Sequence, residues 1–378
     1  MQKNWSTSPK PVQKTVTLED QVNLKQSCLF MRLIQVCLSS DYDGQTQQAE
    51  MLIRSLAEKK IKQLLVCRKN SALHNRLSHL RNLPLVTVSS IWSGHFKVPR
   101  TGLVHAHDIT AAKWARLQNF LRGTPWLMSW YFPDEASVTV LKKSLLKNAQ
   151  ALLVNSIPVE QAMREKAYCA VKRLPSAVFP LETNPMAMTQ LRSHYQGRFV
   201  IGHSGKISGS GNQKLLLEAA ELLQKDLPNV VFILLGDGPL KNKLKKASEG
   251  LKNIDFVGEP KHPGDYFSIM NIYVDPANRA ESFTGLLHAM NFHIPVVTSR
   301  VSGFTEFIRH RSNGLLFKKN DVDSLIEMIR VLYDSVPLRT RITRDAHNQL
   351  KDVTPEKVSH KNLAVYSALI QNLKAKKG

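Results

Sequence analysis

In GKISGSGNQ (205–213), glycines lie between an apolar run and a helical pattern, with Lys206 among them. Glycines in that place let backbone N–H groups close on a phosphate. The N-terminus of the following helix favours an anion, and Lys206 adds a point charge. The Gly-x4-Gly-Lys-Ser/Thr spacing of a P-loop is absent. Glycine-rich turns are equally common at plain strand ends, so this segment alone leaves both readings open.

NRAESFTGLLHAMNFHIPVVTSRVSGFTEFI (278–308) is the richer stretch. Glu281 falls where a strand-end loop gives way to a helix, so its carboxylate either faces a cleft or merely favours the helix dipole. Thr284, Gly285 and Leu286 open that helix, where N–H groups without intrahelical acceptors suit a diphosphate, and a glycine at 285 permits close approach by a ligand. Further on, SGF and Glu306 form another strand-end turn. LLGDGPLKNKL (234–244) reads as a strand, a tight turn and a basic helix.

The histidines divide by position. His105 and His107 share one face of a strand, His107 nearer its end and the cleft, His105 packed beneath a helix. His203 ends a strand beside Gly205, facing a ligand or filling a turn. His262 reads as a solvated loop side chain. No third ligand accompanies the His105/His107 pair. DYD (41–43) reads as a polar loop before Gly44 and DVD (321–323) as a helix opening, so no bound metal is called for.

The elements that must position these groups alternate. Strands are expected at 31–38, 62–67, 84–88, 102–107, 125–130 and 151–156, with a helix at 47–59. The pattern restarts with strands at 198–204, 230–236, 254–258, 272–276, 294–299 and 314–317 and a helix at 212–228. Short apolar strands between helices predict an α/β fold of two doubly wound, Rossmann-like domains facing across a cleft, with ligands at the carboxyl ends of the strands. The expected division is a polar extension at 1–30, a first domain at 31–175, a second at 176–354 and a returning helix at 355–378. RLPSAVFPLETNPMAM (173–188) reads as the linker. Met31 opens the first clear element and is a candidate start.

The chain carries 52 Lys and Arg against 30 Asp and Glu, a net charge of +22, and is 43% hydrophobic. Such a composition excludes disorder. No apolar run reaches the roughly 18 residues of a bilayer span, and no secretory leader is legible. Cys28, Cys37, Cys67 and Cys169 form no CxxC pair and read as reduced thiols of a cytoplasmic protein. The charge is uneven: residues 31–180 hold +12 and residues 181–354 only +4. Basic runs at 54–63, 97–100, 141–150 and 374–378 are either solvated faces or a surface for an anionic membrane. Trp92, Trp114, Trp126 and Trp130 stand at such an interface or in the core. Basic residues interleaved with aromatic platforms are lacking, so nucleic acid is not an expected partner.

In order and spacing, GKI with GNQ, then GDGP, then ESFTGLLHAM with PVVTS, then NGLLF resemble the donor domain of family 4 glycosyltransferases, enzymes of the retaining GT-B type. The resemblance covers about 198–330 and extends more weakly to SSDYDGQTQQAEMLIRSLA (39–57) and VHAHDITAAKWARL (104–117). It implies a retaining, metal-independent hexosyltransferase without cofactor, using a UDP- or GDP-type sugar as co-substrate. The implied acceptor is a glycan or glycolipid, of the lipopolysaccharide-core or another cell-envelope class. The reduced cysteines and the basic surface, taken with that acceptor class, lead to the expectation of a cytoplasmic protein, peripheral on the inner face of the plasma membrane. By the same resemblance Glu281 contacts the donor sugar and His107 lies near it as the catalytic pair. Lys206 and Gly205 meet the diphosphate, Ser282, Phe283, Thr284, Gly285 and Leu286 offer donor contacts, and Gly44 lies beside donor phosphate and acceptor. The family's second glutamate is replaced here by His288 or Ala289, according to alignment, with His288 facing the ribose. Its second basic residue is replaced by Gly211. These departures make a catalytically impaired, glycosyltransferase-like binding protein the alternative.

Overall fold

The computed structural model describes residues 32–375 apart from 133–136, 138, 140 and 142. The expected extension at 1–30, with Met31, lies outside the described residues, as do the last three residues of the basic tail.

The first sheet contains β1 (Arg32–Cys37), β2 (Gln63–Arg68), β3 (Leu85–Val88), β4 (Gly102–Ala106), β5 (Trp126–Trp130), β6 (Ala151–Val154) and β7 (Ala170–Arg173). Its spatial order is β3-β2-β1-β4-β5-β6-β7, with every pairing parallel. Helices α1 (Gly44–Glu58), α2 (Ala72–Leu77), α3 (Ile109–Arg122) and α4 (Ile157–Arg164) connect the strands. The strands are apolar on both faces because helices cover both, and β1 is buried along its length after Arg32.

The second half begins with α5 (Pro185–His194) and builds a six-stranded parallel sheet from β8 (Phe199–Ser204), β9 (Val230–Leu235), β10 (Ile254–Gly258), β11 (Ile272–Asp275), β12 (Val296–Ser299) and β13 (Leu315–Phe317). Its order is β10-β9-β8-β11-β12-β13. The intervening helices are α6 (Lys214–Asp226), α7 (Lys241–Ala247), α8 (Pro263–Phe267), α9 (Thr284–Asn291), α10 (Phe304–Phe307) and α11 (Val322–Asp334); α12 (Val336–Leu350) and α13 (Pro355–Ala375) follow. The strand order reverses direction between β1 and β4 and again between β8 and β11, which opens a crevice at each of those carboxyl ends.

α13 lies against the first sheet's helices. Ser55 Oγ on α1 is 2.9 Å from Ser359 Oγ, and Tyr366 Oη reaches His105 Nδ1 at 2.6 Å. The proposed linker is shorter than its prolines suggested. Asn184 accepts hydrogen bonds from Met186 N and Ala187 N, and Pro185 takes the first position of α5, where its missing N–H costs nothing. β7 is an added edge strand whose Lys172 and Arg173 hide its strand character in the sequence.

Candidate functional site

The first-domain wall is built on the exit from β1. Asp108, just past β4, accepts from Leu38 N at 2.6 Å and Ser39 N at 3.1 Å through one carboxylate oxygen, and from Ala111 N at 2.8 Å through the other. One side chain thus clamps the β1 loop and caps α3. Burial raises its pKa above the ordinary value, against the pull of those N–H donors. Arg68, ending β2, donates from Nε to Leu38 O at 2.7 Å. Asp43 caps α1 by accepting from Thr46 N at 2.9 Å, which leaves Gly44 as the first helical residue, three positions before the expected start. Both DxD sequences therefore serve helix caps, since Asp321 accepts from Ser324 N at 2.9 Å.

On the second wall, the β8 exit and the GDGP turn zip together: Gly205 N donates to Leu235 O at 3.0 Å and Ile207 N to Asp237 O at 2.9 Å. Gly236 has φ +130, and a Cβ there would fall 2.0 Å from Gly205 O, so this glycine is required by loop packing. Gln213 fixes the loop from beneath, donating to Lys206 O at 2.9 Å and lying 3.1 Å from His203 Nε2. His203 fills the turn: its Nδ1 is 2.9 Å from Val274 O, and burial lowers its pKa to about 4.

Glu281 leads into α9 and accepts from Ser210 Oγ at 2.5 Å, tying the two donor-side loops. The Ser282 hydroxyl accepts from Thr284 N at 3.0 Å and donates to Thr284 Oγ1 at 2.9 Å. Across the cleft, a Cβ on Gly44 would come within 2.2 Å of Ser282 Oγ and 3.1 Å of Thr284 Oγ1. The N-termini of α1 and α9, each an attractor of negative charge, therefore meet. Lys206 Nζ stands 3.6 Å from Asp41 Oδ2 of the facing wall, with both side chains more than half exposed. A third cross-wall contact joins α10 to α4, where Glu306 accepts from Ile157 N at 2.8 Å and pairs with Arg173 at 3.4 Å.

Between the walls lies a cavity of about 470 Å³, lined among others by Gln45, Arg68, Asp108, Phe132, Arg279 and Glu281. Of the residues expected there, Glu281 lines it; Gly44, Gly205, Lys206, Ser282 and Thr284 are not among its lining and lie at the β8 exit and the two facing helix starts. Four of the expected positions are engaged by the protein's own packing. His107 is 1% exposed and lines no wall of this cavity. It pairs with Gln35 at 2.9 Å, lies 4.1 Å from the His105 ring, and burial lowers its pKa to about 3, so it is a neutral core imidazole. His288 sits edge-on to Phe179 at 5.0 Å and Phe267 at 5.8 Å, and burial lowers its pKa to about 4. The helical period turns its ring into the core. The space beside Gly285 belongs to the protein: a Cβ there would meet Tyr273 Oη at 2.3 Å and Ser204 O at 2.8 Å. The Phe283 and Leu286 side chains are buried, so only their backbones are available to a ligand.

The sequence reading missed Asp275, Arg68, Gln45 and Asp108. Asp275 ends β11 and accepts from Ala277 N at 3.2 Å; burial first, and then the charge of Glu281, raise its pKa to about 7. Its signal was an acid closing the apolar run IYVD. Arg68 and Asp108 likewise end strands, the positions where a doubly wound sheet keeps its functional groups. Among the described residues, no cluster of three metal-ligating side chains is present.

Residues 190–349 match the family described as glycosyl transferases group 1. The capsular polysaccharide biosynthesis glycosyltransferase CapM of Staphylococcus aureus is 20% identical over 183 residues, 47% of this chain and 48% of that protein. The UDP-Gal:alpha-D-GlcNAc-diphosphoundecaprenol alpha-1,3-galactosyltransferase of Escherichia coli is 26% identical over 145 residues, 36% of this chain and 38% of that protein. The chain spans about half the length, or less, of the first curated relatives it matches. Among solved structures, Anabaena HepE in complex with UDP and glucose superposes with a TM-score of 0.76 at 18% identity, covering 89% of this chain and 100% of that one. WaaG, a glycosyltransferase involved in lipopolysaccharide biosynthesis, superposes at 0.66 and 14% identity, covering 88% of this chain and 99% of that one. At such identities the likeness speaks for the fold, which is GT-B, and residues 190–349 are the segment that is similar to group 1 glycosyl transferases.

Proposed function

We propose that this protein transfers a hexose, with retention, from a UDP- or GDP-type sugar to a cell-envelope glycan or glycolipid, lipopolysaccharide core included. The observation that carries the reading is the meeting of the α1 and α9 N-termini, through Gly44 and Ser282, beside a cavity that holds Glu281. In glycosyl transfer the diphosphate leaves with negative charge. First-turn N–H groups of α9 and the Lys206 ammonium suit that charge at the atoms where it develops, by preorganised electrostatics. Glu281, held by Ser210, is suited to orient hydroxyls of the donor sugar. Among the described residues no side chain in the cavity is arranged as an obvious nucleophile, and attack from the face the diphosphate leaves accords with retention. HepE, solved with UDP and glucose, supports the donor class.

The acceptor enters from the first-domain side, between Arg68 and Phe132. The surplus charge of that half favours an anionic membrane surface, on the cytoplasmic face. Among the described residues no helix is long and apolar enough to cross a membrane.

The test is calorimetric titration with UDP and GDP, followed by nucleotide release from UDP- and GDP-sugars with and without chelator. Saturable binding, release that survives chelation and a product of unchanged anomeric configuration by NMR support the reading. Binding without release would favour the impaired binding protein, which His288 and Gly211 at the departed positions make the second reading. No binding of either nucleotide sinks both.

A further inference from the structure

We propose that the acceptor is an anionic sugar, one carrying a phosphate or a carboxylate, and that Arg68 and Gln45 on the cavity wall recognise it. Arg68 meets the anionic group, and Gln45 accepts a hydrogen bond from a sugar hydroxyl. The proposal rests on the transferase reading above and names the chemical class of its second substrate.

The cavity belongs mostly to the first wall. The exits of β1, β2, β4 and β5 supply Leu38, Arg68, Ile109 and Phe132, while the second wall contributes only residues 279–281. Lys206 and the first turn of α9, the groups suited to the departing diphosphate, are not among the lining. The polar groups of the first wall are therefore left for the other substrate. Arg68 stands there with its charge unspent. Its Nε donates to Leu38 O at 2.7 Å, and Leu38 N in turn donates to Asp108 at 2.6 Å, so the guanidinium is anchored to a clamped piece of backbone. That bond uses one of its N–H donors, and the two Nη groups meet no acceptor among the described residues. The lining carboxylates are engaged elsewhere: Asp108 accepts from three backbone N–H groups, and Glu281 from Ser210 Oγ. A guanidinium fixed in this way offers a planar, preorganised fork that fits two oxygens of a phosphate or carboxylate.

Gln45 is the independent observation. It follows Gly44 in the first turn of α1, is 8% exposed and lines the same cavity, and its Oε1 is buried with no hydrogen-bond donor. A buried amide oxygen without a donor is uncommon and unfavourable, and a hydroxyl held in the cavity supplies what it lacks. Phe132 completes the wall. Its ring lies 4.7 Å from that of Trp130, whose Nε1 is spent on Ser137 Oγ at 3.0 Å. Phe132 is half-buried, so part of its apolar ring is left for the C–H face of a sugar. One cationic fork, one hydroxyl reader and one aromatic face suit a sugar that bears negative charge. A purely apolar ligand would leave both Arg68 and Gln45 unpaired.

The test is calorimetric titration of the whole protein with glucose 6-phosphate, glucuronate and glucose, each with and without saturating UDP or GDP. At least one anionic sugar is expected to bind about tenfold or more tightly than glucose, and the tighter of the two identifies the anion as phosphate or carboxylate. Arg68→Gln should bring both anionic sugars to the level of glucose, with nucleotide affinity unchanged, and Arg68→Lys should keep part of the preference. Gln45→Met should weaken all three sugars alike, by about fivefold, because it removes a hydroxyl contact and no charge. Lys113→Gln, an exposed cation of α3, should leave the preference where it is and so separates Arg68 from the net charge of the chain. Equal binding of all three sugars, binding of none, or a preference that survives Arg68→Gln overturns the proposal. So does a Gln45→Met variant with undiminished affinity. Failure to bind UDP or GDP would count against the transferase reading, and the titrations without nucleotide would still decide the sugar subsite.

Discussion

Gly44 and Ser282 face each other across the cleft so closely that a Cβ on Gly44 would lie 2.2 Å from Ser282 Oγ and 2.8 Å from Ser282 Cβ. The contact joins two helix N-termini from different sheets, and glycine is the residue type that lets them approach. Gly44→Ala should therefore push the walls apart, weakening UDP binding and lowering stability by about 1–3 kcal/mol. Ser282→Gly should restore at least half of the loss. Titration and urea unfolding of both single variants and the pair measure the coupling, and strictly additive effects would remove the contact from consideration.

Glu281→Gln keeps the shape of the side chain and removes its charge. Transfer should fall about 10²-fold or more while the melting temperature stays within a few degrees, because Glu281 is exposed and its neighbour Ser210 can still donate. Ser210→Ala should act in the same direction but more weakly. An unchanged rate in the glutamine variant would move the role to another residue.

Asp275 provides a pH signature. Its folded pKa, raised to about 7 by burial and then by Glu281, lies above the usual value of an unfolded chain. The folded state therefore holds a proton that the unfolded state has lost, and stability declines as pH rises from about 4 to about 7. Asp275→Asn should flatten that decline, with a relative gain of about 2–4 kcal/mol at pH 8 over pH 4. Denaturation at a series of pH values checks it, and parallel curves for the two proteins would count against it.

His288 makes the opposite arm. Its folded pKa of about 4, lowered by burial, lies below the ordinary imidazole value, so the unfolded chain takes the proton first and stability is lost as pH falls from about 6.5 toward 4. His288→Phe should lessen this acid-side loss. His288→Glu, which reinstates the family's usual carboxylate, should destabilise the protein at neutral pH by about 3 kcal/mol, because Phe179 and Phe267 offer it no donor. A stable glutamate variant with tighter nucleotide binding would show that the ring can turn into the cleft.

Glu306 offers a test of the contact between walls that leaves the cavity intact. Glu306→Ala removes the carboxylate from the N-terminus of α4 and from Arg173. About 1 kcal/mol of stability should be lost, with faster proteolysis in the 174–184 segment. Unaltered proteolysis would assign the contact no part in holding the walls together.

The sequence by itself determined the two doubly wound sheets, because buried parallel strands must be short apolar runs and their covering helices must be periodic, and both patterns survive in a single chain. It also marked Glu281, Lys206, Gly205 and Gly44 as candidates, since strand ends followed by glycine or by a helix start are legible as order along the chain. Tertiary structure alone decided what each neighbour does. Gly285 looks like room for a ligand until Tyr273, twelve residues earlier, is found filling the space. His107 and His288 look functional by position, yet each points where its strand or helix period sends it, into buried surroundings that keep it neutral. Arg68, Asp108 and Asp275 escaped notice because each is only a polar residue at or just past a strand end until the fold sets Arg68 and Asp108 on the cavity wall and Asp275 within reach of the Glu281 charge. The surplus of positive charge was plain in the composition. That Lys113 and Arg116 share the exposed side of α3 with Phe120 depends on which side chains the fold leaves in water.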